Sequence, residues 1–229
     1  MMKLGLALFL LFALSLVHAN GNEVEFYKQA SNNNNGYDYL LLCTEWAGTV
    51  CKEQKCSYAQ GINKNYFNIH GLWPTQTKNP MSPANCAQGS VQVNKYIQSG
   101  TKQDLTRCWS GLYSSMDSFH THEWTKHGSC WNSQPNQIDS YFKLAISLAN
   151  RYNAYAFLAQ AGIYPGKSYP LKNMLQALAN GYKVNGFTLE CSNGNLKTVR
   201  ACFDKNSRII SCPQGQKTSC PQMVGYPAL

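Results

Sequence analysis

The chain has 229 residues, 44% of them hydrophobic and 14% charged. That is enough apolar material for one sizeable core, and a single domain is the default. The formal net charge of +9 favours polyanionic partners, RNA among them, without selecting one. The ten cysteines include no Cys-x-x-Cys pair, which argues against a zinc site, and their even number points to disulfides formed in an oxidising compartment.

The chain opens with Lys3, the apolar run "LGLALFLLFALSLV" and then Val17-His18-Ala19 before polar "NGNE". This predicts a secretory signal peptide over residues 1–19, cleaved near Ala19, with the working domain over 20–229. The run is short for a membrane span, and an uncleaved anchor fits the polar segment that follows less well. No second apolar stretch of spanning length occurs, so the mature chain is expected to be soluble and free of the membrane. No Asn-x-Ser/Thr sequon is present, and "GYPAL" at the C-terminus is not an ER-retention signal.

After the polar loop "NNNNG" at 32–36, "YDYLLLCTEW" (37–46) reads as a buried first strand. "CKEQKC" closes a small loop. "NYFNIHGLWP" (65–74) reads as a second strand ending at the breakers Gly71 and Pro74, and residues 75–100 are loop-like. The segment 105–128 is expected to end in a helix that stops at Gly128. From Ile138 the period changes: Tyr141, Phe142, Ala145, Leu148 and Ala149 fall near one helix face. "AYAFLAQAG" and "LKNMLQALANG" predict two more helices, ending at Gly162 and Gly181. The tail predicts strands joined by the Asn193-Gly194 turn, with a second turn near Asp204–Ser207. Strands, then helices, then strands give an α+β domain. No repeat or interdomain linker is visible.

The mature segment holds four histidines, His70, His120, His122 and His127, in two short stretches that each carry a glycine and a tryptophan. Imidazole titrates near neutrality and is the natural group for moving protons. The zinc-protease pattern His-Glu-x-x-His needs two histidines at i and i+4. Here His122 and His127 are at i and i+5, about 140° apart on a regular helix, and Lys126 adds a positive charge beside them. No metal is expected. Phosphate chemistry fits better. On a helix His122 and Lys126 share a face, and Glu123 and His127 share the neighbouring one. RNA carries its own nucleophile, the 2′-hydroxyl. Cleavage then needs a base, an acid for the leaving 5′-oxygen, and positive charge on the transition state. Two histidines can supply the proton transfers without a metal. One must come from elsewhere in the chain, and the candidates are His70 and His120.

"FNIHGLWP" (67–74) and "HEWTKHGSC" (122–130) closely resemble the two active-site segments of the RNase T2 family of secreted acid ribonucleases, at every fixed position of both patterns. The likeness extends to the first strand with its tryptophan, the "YF" helix start, "AGIYP" and the cysteine-bearing tail. It implies an α+β fold with a central antiparallel sheet flanked by helices and stabilised by disulfides. It also implies an endoribonuclease that cuts single-stranded RNA by 2′-O-transphosphorylation, with no cofactor. The roles it implies are His70 as general acid, His127 as general base and His122 as the phosphate-binding histidine. Glu123 and Lys126 are implied as the pair that stabilises the transition state, and Trp73 and Phe119 as base contacts. Two positions depart from the family pattern. His120 stands where tryptophan is usual, as an exposed substitute or an added RNA contact, and is left out of the catalytic set. Thr75 stands where some members carry an aspartate that reads a base. The family's disulfides imply Cys51–Cys56, Cys86–Cys130, Cys191–Cys220 and Cys202–Cys212. Cys43 and Cys108 then remain for a fifth bridge. A monomer is expected, secreted or held in a lysosomal or vacuolar compartment.

Overall fold

The computed structural model describes residues 36–58, 61–87 and 89–229. The signal peptide expected over 1–19 and most of the polar loop at 32–36 lie outside the described residues. The chain runs through β1 (Tyr39–Glu45), α1 (Ala47–Glu53), β2 (Asn68–Thr75), α2 (Ser99–Cys108) and α3 (Met116–Glu123). It continues through α4 (Ile138–Arg151), α5 (Ala154–Gln160), β3 (Lys167–Pro170), α6 (Leu171–Tyr182), β4 (Phe187–Ser192), β5 (Asn195–Phe203) and β6 (Met223–Tyr226). β1 is apolar almost throughout because it lies inside the sheet, antiparallel to β2 on one side and to β5 on the other. β4 pairs antiparallel with β5, and β6 pairs antiparallel with β3. A single parallel pair, Asn195↔Gly225, joins β5 to β6.

Strand alternation sorts β1 between two faces. Leu40 and Leu42 enter the main core with Trp109, Tyr141 and Phe142. Tyr39 and Leu41 enter a small cluster on the other face, with Cys202 and Trp73. The α4 stripe read from the sequence, Tyr141, Phe142, Ala145, Leu148 and Ala149, is buried in that main core. The tail hairpin turns at Asn193 (φ 48°) and Gly194 (φ +77°), the left-handed pair that an Asn-Gly turn supplies.

Several sequence expectations need correction. β2 does not end at Gly71 or Pro74 but runs to Thr75. It is an edge strand, where a proline's missing N–H is tolerated. Gly128 does not stop the helix. Its φ of −58° is helical, and α3 passes into a π turn over Trp124–Gly128 and a last turn over Ser129–Trp131. α6 runs through Gly181 to Tyr182 and stops at Lys183, which takes the left-handed conformation at φ 64°. A Cβ at position 181 would lie 2.1 Å from Cγ of Phe157, so the glycine serves α5–α6 packing rather than a cap.

Among the described residues four disulfides form: Cys51–Cys56, Cys86–Cys130, Cys191–Cys220 and Cys202–Cys212. The expected Cys43–Cys108 bridge does not. Both thiols are free and buried. Cys108 belongs to the main core with Leu40 and Leu42, whereas alternation along β1 turns Cys43 to the opposite face of the sheet with Leu41. The sheet itself separates them.

Candidate active site

The β1–β2 register breaks at one place. Cys43 faces Gly71 and Thr44 faces Ile69, so His70 is the extra residue of a β-bulge. Such a bulge re-aims a side chain. Ile69 stays in the main core, and His70 faces a cleft of about 470 Å³. The strand is pinned from behind. Trp109 donates its indole N–H to the His70 carbonyl (3.0 Å), and Asn68 exchanges two hydrogen bonds with the Ser110 backbone, each 2.8 Å.

The opposite wall comes from α3 and the π turn. Ser115 caps α3 by accepting from the Ser118 N–H at 3.3 Å, and Asp117 lies in the first turn, where a negative charge suits the helix dipole. Trp124 is buried edge-on against Tyr141, which anchors the turn. The carbonyl of Lys126 accepts from the Asn85 N–H (2.9 Å), and the adjacent Cys86–Cys130 bridge closes a span of 44 residues. On a chain-entropy account a loop of that length is worth roughly 4 kcal/mol. The i→i+5 bonding of a π turn adds a residue to the turn and carries His127 back toward the side of His122. Both therefore line the cleft with Lys126 and face His70 across it. Regular-helix spacing would hold His122 and His127 apart, and the π turn removes that separation. Among the described residues no group of three or more His, Cys, Asp or Glu is arranged to hold a metal ion.

Glu123 is fully buried under the cleft floor. Its Oε2 accepts the Trp73 indole N–H at 2.9 Å, and its Oε1 lies 3.6 Å from His70 Nε2. Gly71 makes this possible: a Cβ there would lie 2.1 Å from Glu123 Oε2 and 2.2 Å from Trp73 Nε1. The Trp73 ring stacks on the His127 imidazole with centroids 5.0 Å apart, and Phe119 sets its ring edge-on to His70 at 5.6 Å. Thr75 is buried and donates to the Trp73 carbonyl (2.8 Å). His120 is neither exposed nor part of the cleft. It is 2% exposed and donates from Nε2 to the Trp109 carbonyl at 2.8 Å, beneath the tryptophan that holds His70.

Two residues of the site carried no motif in the sequence. Glu45 sets Oε1 3.0 Å from His70 Nδ1, an ion-pair contact, and Arg200 of β5 lines the cleft while pairing with Glu190. A lone carboxylate at the end of an otherwise apolar strand was the available signal for Glu45.

The two walls have opposite electrostatics. Burial opposes charge on His70, but the carboxylates of Glu45 and Glu123 outweigh it and raise its pKa. Burial lowers the pKa of His127 to about 3, with help from the Lys126 ammonium, His122 and His70. Burial and then Lys126 also lower that of His122. Burial raises the Glu123 carboxyl to about 7, against the pull of His70, the Trp73 hydrogen bond and Lys126.

The chain matches the Ribonuclease T2 family over residues 37–212. It is 33% identical to Ribonuclease DdI of Dictyostelium discoideum over 222 residues, 96% of each chain. It is 32% identical to Extracellular ribonuclease LE of Solanum lycopersicum, over 83% of this chain and 87% of that one. The structure of RNase NT in complex with 5′-AMP superposes with a TM-score of 0.73 at 26% identity, over 84% of this chain and 99% of that chain. With the fold, both active-site segments and this match along most of its length, the chain belongs to the Ribonuclease T2 family and is a ribonuclease.

Proposed function

We propose that this ribonuclease is a metal-independent endonuclease that cleaves single-stranded RNA by 2′-O-transphosphorylation. His127, neutral, takes the proton of the 2′-hydroxyl. The 2′-oxygen attacks phosphorus, and the bond from phosphorus to the 5′-oxygen breaks. His70, protonated, delivers its Nε2 proton to that departing oxygen. The products are a 2′,3′-cyclic phosphate and a free 5′-hydroxyl. Any later opening of the cyclic ester by water to a 3′-phosphate would be a separate, slower step that uses the two roles reversed. His122 and Lys126 hold the phosphate, and Lys126 with Glu123 stabilises the crowded, charged phosphorus. Trp73 and Phe119 are the aromatic contacts for bases.

The observation that carries this reading is the divergence of two histidines across one cleft. A pair of like groups whose surroundings drive their pKa values apart supplies an acid and a base at one pH. Rate then requires pH below the His70 value and above the His127 value, a window from acid to neutral. That window suits a secreted or lysosomal or vacuolar enzyme, released from its signal peptide and working as a monomeric domain over 20–229. The test is to incubate the purified protein with single-stranded RNA at about pH 5 in excess EDTA and identify the product ends. Cyclic phosphate ends are expected. No cleavage in EDTA, with activity restored by added metal, would overturn the mechanism.

A further inference from the structure

The proposed acid needs more than a position. An imidazole that donates from Nε2 must carry its second proton on Nδ1, and something must favour that state. Glu45 meets His70 on that side. Its carboxylate lies 3.0 Å from Nδ1, with side chains only 13% and 24% exposed, while Nε2 faces Glu123 and the cleft. The bulge at His70 brings the two together, because without the extra residue the imidazole would fall opposite Thr44, which bonds the Val199 carbonyl away from the cleft.

We propose that Glu45 is a positioning residue for RNA cleavage: it pairs with Nδ1 of His70, fixes the ring, and keeps the Nε2 proton available for the leaving 5′-oxygen. This rests on His70 being the acid. Glu45 works with Glu123 and against every cation that faces the ring. From β1 comes Glu45 and from α3 come Glu123 and His122. Arg200 on β5 opposes protonation, and His127 on the π turn lines the same cleft. The two carboxylates have different surroundings. Glu123 is wholly buried, has its other oxygen engaged by Trp73, and is protonated over the acid half of the window. Glu45 is the carboxylate on the Nδ1 side of the ring, away from Trp73.

The experiment is the pH profile of kcat for Glu45→Gln and Glu45→Ala on single-stranded RNA, beside His70→Phe. The amide keeps the shape and loses the charge. The alkaline limb should move to lower pH by about one unit, with kcat down by up to about 10-fold at neutral pH and above, much less at pH 4–5, and KM little changed. On a uridine 3′-aryl phosphate, whose leaving group needs no proton, both Glu45 variants should regain near wild-type kcat. A merely structural role would lower kcat on both substrates at every pH. If His70→Phe is inactive on RNA but Glu45→Gln leaves the alkaline limb in place, the pairing is wrong and the acid assignment stands. If His70→Phe remains active on RNA, the acid assignment itself fails.

Discussion

The two walls of the cleft carry the same side chain in opposite company. On the strand wall, His70 stands between two carboxylates, Glu45 and Glu123. On the helical wall, His127 stands beside Lys126 and His122 and has its ring against Trp73. Burial disfavours the imidazolium on both walls, so burial cannot account for the difference. Neighbouring charge does. The strand wall gains its carboxylate through a bulge, and the helical wall gathers its cations through a π turn. Both are local irregularities that a regular strand or helix lacks, and both re-aim side chains into one space.

Deleting one histidine from each wall gives the largest effects. His70→Phe and His127→Phe should each lower kcat on single-stranded RNA by roughly three orders of magnitude or more, with thermal unfolding near that of the parent. Near wild-type rates in either variant would contradict the pairing. Lys126→Ala weakens the helical wall without removing the proposed base. We expect a loss of roughly 10²-fold in kcat. Because Lys126 holds the His127 pKa down, its removal should also move the acid limb of the profile to higher pH. An unmoved limb would mean that the lysine does not act on His127.

Smaller effects sharpen the account of how the walls are joined. Gly71→Ala drives a methyl into the Trp73–Glu123 hydrogen bond. Overpacking of this kind costs about 1–3 kcal/mol, which a melting curve reads as a fall of about 3–10 °C, with kcat reduced as well. His120→Phe should show the reverse pattern. It leaves the Trp109 carbonyl without its donor and costs about 1–3 kcal/mol in denaturant unfolding, while kcat at the pH optimum stays at the parent level.

The residues of the cleft were easier to read from the sequence than their geometry. His70 and the run from His122 to His127 were legible because titratable residues crowd into two short segments. The α4 stripe and the Asn193-Gly194 turn were legible because each is a local pattern with one structural solution. What failed were the places where tertiary packing overrode a local rule. Pro74 stays in a strand because that strand is an edge, and Gly128 stays helical because the π turn continues past it. Glu45 was missed because its contact with a residue 25 positions away depends on a bulge that leaves no mark in composition. Pairing Cys43 with Cys108 failed for a related reason: elimination counts cysteines but does not ask which face of the sheet each one occupies.

The opposite company of the two imidazoles predicts that His70 and His127 titrate on opposite sides of the ordinary value. Labelled histidine side chains followed by NMR across pH 3–9 test it directly, with the Phe variants assigning each resonance. The account predicts that His70 stays protonated above the ordinary value while His127 stays neutral deep into acid. Equal titration of the two, or His127 charging at higher pH than His70, would contradict it.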